Sequence, residues 1–158
     1  MNRNELLNLS DEELIKLCKI DFFKATGPGG QKKNKTESAV RLTLNEPQVT
    51  ASASEDRQQS VNRARALKRL RLQIALEWRE EFQPWDDQWD MNPKNPRYPL
   101  FAAFLIDALD DSDWQVSTAA QNAGVSTGKF IKLLSRSDQL WQYVNQQRQK
   151  KNLKSLRR

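Results

Sequence analysis

Residues 27–35 read GPGGQKKNK, in which three glycines and a proline precede a neutral amide and three lysines. Three chemistries suit such a set: a phosphate cradle, a nucleic-acid patch, or a catalytic loop that depends on a glutamine. The cradle fails on spacing. A Walker loop needs four residues between its glycines and then Gly-Lys-Ser/Thr, and a dinucleotide fingerprint needs Gly-x-Gly-x-x-Gly opening a helix. A plain turn fits Gly-Pro and Gly-Gly, but it leaves the Gly-Gly-Gln trio and the following KKNKTESAVRL unexplained. The chain has no histidine and a single cysteine, Cys18. Ser/His/Asp and Cys/His catalysis are thereby excluded, as are the familiar zinc patterns. One cysteine also forms no internal disulfide and suits a reducing cytoplasm; Cys18 reads as a small buried hydrophobe.

The flanking sequence predicts strands around this loop. KIDFFKAT reads as a strand entering it. AVRLTL places Val40, Leu42 and Leu44 on one face and Arg41 and Thr43 on the other, the alternation of a half-buried strand. NEP is a turn, and QVTASA sets Val49, Ala51 and Ala53 on one side of a partner strand. Before them, Ser10 and Glu13 form a capping box for a short helix with Leu14, Leu17 and Cys18 on one face. From Glu55 to about Glu80 a long helix is expected, with Val61, Ala64, Leu67, Leu70, Ile74 and Trp78 as its apolar stripe. Arg57, Arg63, Arg65, Lys68, Arg69 and Arg71 fill much of the remainder. A solvated basic face and an RNA- or DNA-facing surface both fit them.

Residues 81–99, EFQPWDDQWDMNPKNPRYP, contain four prolines and break any helix. Trp85 and Trp89 are expected to dock on a flanking unit, although residues 81–97 could span about 55–60 Å if fully extended. PLFAAFLIDAL restarts a helix. VSTAAQNAGVSTGKFIKLLS then has a helix-turn-helix pattern, with Ala120 and Gly124 allowing a close crossing and Phe130, Ile131 and Leu134 as apolar positions. A structural hairpin and a nucleic-acid reader both fit; Lys129, Lys132 and Arg136 favour the reader. The end, NQQRQKKNLKSLRR, reads as a basic helix or frayed tail.

The chain has 158 residues and a net charge of +6. Residues 1–80 carry +4, residues 81–115 carry −6 and residues 116–158 carry +8. Two basic blocks around an acidic middle suit contact with a polyanion. No apolar run is long enough to span a bilayer, and no signal-type segment begins the chain, so a soluble cytoplasmic protein is expected.

TGPGGQKKNKTESAVRLTL resembles the catalytic loop and following strand of the class I peptide chain release factors and of their single-domain relatives that rescue stalled ribosomes. RQQSVNRARALKRL is similar to the start of the helix that follows in that family. Together the matches span about residues 19–75. The resemblance implies an α+β domain, a small antiparallel or mixed sheet with the Gly-Gly-Gln loop covered by a long helix. It also implies that Gly29, Gly30 and Gln31 promote hydrolysis of the peptidyl-tRNA ester in the peptidyl-transferase centre. Adjacent glycines let the backbone approach another surface closely. The Gln31 amide can stabilise a developing oxyanion and orient water, but it has no pKa suited to a general base. Lys32, Lys33, Asn34, Lys35, Arg41, Arg57, Arg63, Arg65 and Lys68 would face RNA. Lys129, Lys132, Arg148, Lys150, Lys151, Lys154, Arg157 and Arg158 extend that set in the C-terminal half.

The family pattern is departed from in three places. Only 18 residues precede the first strand, too few for a decoding domain, so reading of stop codons is not expected. Lys33 stands where relatives often carry an aliphatic residue. The compact relatives usually end in a flexible basic tail, thought to occupy the empty mRNA channel; this chain instead adds a Trp/Pro-rich linker and a helical unit. Three domains are expected: 1–80 catalytic, 81–97 linker and 98–158 an all-α unit with a basic tail. The expected function is codon-independent peptidyl-tRNA hydrolysis by a monomer with no metal or cofactor. Its partners would be the ribosome, through rRNA of the peptidyl-transferase centre, and peptidyl-tRNA, with the mRNA channel or another factor engaging the C-terminal unit. A ribosome- or RNA-binding module without hydrolysis and a helix-turn-helix DNA-binding regulator are the alternatives.

Overall fold

A computed structural model describes residues 1–24 and 37–158. The chain divides into two compact units, Met1–Ile74 and Ala75–Arg158. In chain order the elements of the first unit begin with α1 (Arg3–Leu7), α2 (Asp11–Lys16), β1 (Cys18–Phe23), β2 (Ala39–Asn45) and β3 (Gln48–Ala53). A long helix, α3 (Gln59–Glu77), follows, and the division into units falls in its last turn.

The sheet is antiparallel in the order β1-β2-β3. Its register follows from the alternation: Phe22, Val40 and Ala53 lie side by side on one face, as do Ile20, Leu42 and Ala51. Val40, Leu42, Leu44, Val49 and Ala53 are all buried on that face, whereas Arg41 on the other is exposed. A slip of one residue would turn this whole set to solvent, so the pattern fixes the register. Glu46 and Pro47, joined by a cis peptide bond, close the β2–β3 hairpin.

The capping box expected at Ser10 is present. Its hydroxyl accepts from the Glu13 N–H at 3.1 Å, and a Glu13 carboxylate oxygen accepts from the Ser10 N–H at 3.3 Å. These bonds hold the Glu13 carboxyl below the usual carboxylate range. Asn2 and Glu5 repeat the motif at α1, a helix the sequence reading missed. The expected apolar face of α2 needs correction. Leu14 is fully buried, but Leu17 caps the helix and is exposed, and Cys18 opens β1. The Cys18 thiol donates to the Leu14 carbonyl at 3.4 Å, and burial pushes its pKa up.

Good helix formers such as Ala, Leu, Arg and Lys make up most of α3. Its buried stripe differs from the one expected: Asn62, Ala66, Leu67, Leu70 and Ile74 are buried, Ala64 is exposed and Val61 is half-buried. Arg69 and Arg71 also leave the expected basic face. Arg69 donates to the Ser52 carbonyl at 2.8 Å and pairs with Glu55, whose carboxyl this contact lowers. Arg71, half-buried, ties down the α1–α2 turn through the Leu7 and Leu9 carbonyls and Asp11.

The second unit contains α4 (Tyr98–Asp111), α5 (Val116–Ala123), α6 (Thr127–Ser135) and α7 (Asp138–Lys150). The fold as a whole is α+β, with seven helices and three strands among the described residues. Helix α4 is buried from Phe101 to Leu109, the signature of a central helix. Pro99 sits in its first turn, where a missing N–H costs nothing. The Trp/Pro-rich segment lies along this helix: Trp85 and Trp89 ring centroids are 5.1 and 6.1 Å from that of Phe101, and both also contact Phe104. Arg79 stacks on Trp114 and Tyr143 and donates to the Tyr143 hydroxyl and the Leu76 carbonyl.

Gly124 terminates α5 at φ +83°, with its N–H on the Gln121 carbonyl and the Val125 N–H on the Ala120 carbonyl. This is a Schellman turn, which needs a left-handed residue at that point. A Cβ there would meet nothing within 4 Å, so only backbone strain opposes it. Gly124→Ala is therefore expected to destabilise the protein by about 1–2 kcal/mol, read as a lower urea midpoint.

Candidate catalytic-loop anchor and basic surfaces

Gly29, Gly30, Gln31, Lys32, Lys33, Asn34 and Lys35 lie outside the described residues; the chain on either side of them is described. The β1–β2 ladder ends at the Phe23–Ala39 pair, so residues 24–38 form the connection that carries the Gly-Gly-Gln trio. Arg41 lies one pair further into the sheet than Val40, opposite Asp21, and its guanidinium sits 4.8 Å from the Phe23 ring centroid. Phe22, on the core-facing side of the same strand end, is nevertheless 43% exposed. An exposed aromatic and a stacked cation therefore mark the strand ends that lead into the loop.

The exit of the loop is held by the first turn of α3. Gln59 Nε2 donates to the Glu37 carbonyl at 2.9 Å. Asn62, with no exposed surface, donates from Nδ2 to the Ser38 carbonyl at 2.8 Å and to the Asp56 carbonyl at 2.9 Å. Its Oδ1 accepts from the Asp56 N–H at 3.0 Å. The Asp56 carboxylate in turn accepts from the Gln58 N–H at 2.9 Å, beside the start of the helix. The asparagine was legible as part of the RQQSVN motif, but its burial and partners were not.

The cations expected on α3 do not form one surface. At roughly 100° per residue, Gln59 and Arg63 share the face of Ala66, Leu67, Leu70 and Ile74, whereas Arg65 and Lys68 each fall about 150° from the centre of that face. Arg63 thus stands on the side of the helix that bonds the loop exit, and Arg57 immediately precedes the helix. Arg57, Arg63, Arg65 and Lys68 are all exposed, with no side-chain partner among the described residues. They can contact phosphate, but from two directions.

In the second unit, several expected RNA contacts are engaged internally. Lys129 lies over the Trp89 ring at 5.7 Å, and Arg136 pairs with Asp90 at 3.0 Å. Arg148 donates to the Trp114 carbonyl at 2.6 Å and the Lys154 carbonyl at 3.0 Å, and burial lowers its pKa. Lys151 lies 3.5 Å from Asp113, and Arg158 is 2.6 Å from Asp138 while covering Trp141. Lys132, Lys150, Lys154 and Arg157 remain exposed. The basic end is not frayed: the Leu156 N–H donates to Asn145 Oδ1 at 2.7 Å, and the Leu153 N–H to the Arg148 carbonyl. Among the described residues, no group of His, Cys, Asp and Glu could hold a metal ion, and no helix is long and apolar enough to cross a membrane.

Comparison with known proteins agrees with this layout. Peptide chain release factor 1 of Acidiphilium cryptum is 48% identical over 56 residues, 35% of this chain and 16% of that protein. Its counterpart in Salinibacter ruber is 44% identical over 64 residues, 40% of this chain and 18% of that one. The Bacillus cytotoxicus factor is 41% identical over 70 residues, 44% of this chain. The chain spans only 16 to 20% of the length of these relatives. The profile of the RF-1 domain matches residues 8–93, which include the sheet, the Gly-Gly-Gln connection, α3 and the tryptophan strap, and the chain belongs to that family, the Gly-Gly-Gln domain of the class I release factors.

Proposed function

We propose that this protein hydrolyses the ester between peptide and tRNA on the ribosome, without reading a codon, and so frees ribosomes that cannot terminate. The observation that carries this reading is Gly29-Gly30-Gln31 in the β1–β2 connection of an RF-1 domain. The two glycines let the backbone come close to the ester, and the Gln31 amide orients the attacking water and helps stabilise the oxyanion. A neutral side chain suits a centre walled by RNA phosphates, which would repel a carboxylate. No histidine is present to take the proton, so it leaves through solvent or RNA. Lys32, Lys33 and Lys35, with Arg57 and Arg63, would hold the loop against rRNA. Nothing in this chemistry calls for a metal or cofactor.

A pure binding module has no use for the trio, which disfavours that alternative. The regulator reading is weakened because Lys129 and Arg136, two of the three cations favouring it, are taken up by Trp89 and Asp90.

The test is release of labelled peptide from ribosomes with an empty, a truncated-message or a stop-codon A site. Release from the first two, with no gain from the stop codon, is the expected result. Dependence on the stop codon would overturn codon independence; no release from any of the three would overturn the hydrolase reading.

A further inference from the structure

We infer that Asn62, assisted by Gln59, is a positioning residue that fixes where the Gly-Gly-Gln connection meets α3 on entering β2, and that release chemistry depends on it; this rests on the hydrolase reading. The strand ladder alone does not fix that point, because it ends at the Phe23–Ala39 pair. Beyond it, the Glu37 and Ser38 carbonyls accept from two side-chain amides, Gln59 and Asn62. These amides are three residues apart and therefore neighbours on the helix surface.

Asn62 is buried on α3, as are Ala66, one turn further along the helix, Leu67 and Leu70. A buried amide is tolerated only when its hydrogen bonds are made. Here both Nδ2 donors and the Oδ1 acceptor are used. The orientation is also fixed, since a flipped amide would set Nδ2 against the Asp56 N–H. A shift of Ser38 along the helix would leave a buried donor unpaired, so the bond to Ser38 works as a register pin. Other side chains do not serve: Asp keeps the acceptor but cannot donate, Leu has neither function, and Gln is one methylene longer.

Seven positions separate Gln31 from Ser38, and the pin therefore sets the origin from which the reactive amide is presented. Misplacement of a reacting group by about 1 Å costs on the order of a hundredfold in rate. The loss should appear in kcat, because the cations that would bind RNA are untouched.

The experiment compares Asn62→Ala, Gln59→Ala and Val49→Ala in the full chain. Val49 is buried at the far end of the sheet, paired with Leu44, and Val49→Ala serves as the stability control, its urea midpoint being measured beside that of Asn62→Ala. Gln59 is exposed, so its variant folds even if Asn62→Ala does not. Expected are a kcat for peptide release about a hundredfold lower for Asn62→Ala and about tenfold lower for Gln59→Ala. Ribosome affinity should change less than about threefold, and Val49→Ala should keep its kcat. Amide hydrogen exchange at residues 37–40 should quicken in both clamp variants and not in Val49→Ala. Unchanged exchange overturns the clamp whatever the activity. Faster exchange with unchanged kcat, or an equal loss in Val49→Ala, overturns its role in the chemistry. A parent protein that releases no peptide, with exchange still responding, overturns the hydrolase reading and the positioning role while the clamp itself stands.

Discussion

Gly30→Ala is expected to lower the rate of peptide release by at least about a hundredfold at saturating protein, while ribosome binding changes by less than about threefold. The asymmetry comes from what glycine does in the loop. It brings no contact energy of its own, so its loss removes little binding. On the proposed mechanism, however, a Cβ at this point adds bulk where backbone would lie against the reacting ester, and it restricts φ. Donors aimed at a developing oxyanion are worth about a hundred- to a thousandfold in rate each, and only when correctly placed. Single-turnover release beside ribosome co-sedimentation separates the two effects. Release at the parent rate would remove the trio from the mechanism; binding lost in proportion to release would make it a docking element instead.

The second large effect is structural. Phe101→Ala should destabilise the second unit by about 3–5 kcal/mol, the range for deleting a buried aromatic ring. Phe101 has no exposed surface and lies within ring-contact distance of Trp85, Trp89, Tyr98 and Phe104. Two of these partners belong to the proline-rich segment before α4, so the substitution removes much of what that segment rests on. A lower urea midpoint should be accompanied by red-shifted tryptophan emission and faster proteolysis within residues 81–97. A loss below about 1 kcal/mol with unchanged emission would mean that the strap does not depend on this ring.

Where a pattern is local, the sequence was a good guide. The strand faces followed from strict alternation, and the Ser10–Glu13 box from a spacing that only a helix start uses. Asn2–Glu5 has the same spacing and was overlooked, because no long apolar run follows it. Gly124 was legible as a turn residue, and the Schellman bonds explain why glycine stands there. The α3 stripe was misread for a physical reason. Residue type put Ala64 in the stripe and left Asn62 out of it, yet three hydrogen bonds to Ser38 and Asp56 make the amide acceptable inside, and these come from chain outside the helix. The Gly-Gly-Gln trio is visible as residue types in an unusual order; the bond from Asn62 to the Ser38 carbonyl joins positions 24 apart and has no local signature. Charge counting failed differently. It registers Arg71, Arg148 and Arg158 as free cations, whereas each has an internal acceptor.

The turned-back basic end changes what a polyanion would meet there. Asp138 and Asp113 already occupy the places on Arg158 and Lys151 that a phosphate would take, and the Leu156 amide is committed to Asn145. Engagement of Lys151 and Arg158 by a phosphate would then be an exchange reaction, carboxylate for phosphate, whereas Lys154 and Arg157 stay open. The yield of that exchange depends on the difference between two similar attractions, and the apparent affinity is the intrinsic one multiplied by the fraction of molecules in which the end is already detached. The two paired cations would therefore be recruited only where a phosphate array is dense enough to displace two exposed aspartates, each pair being worth about 0–1 kcal/mol.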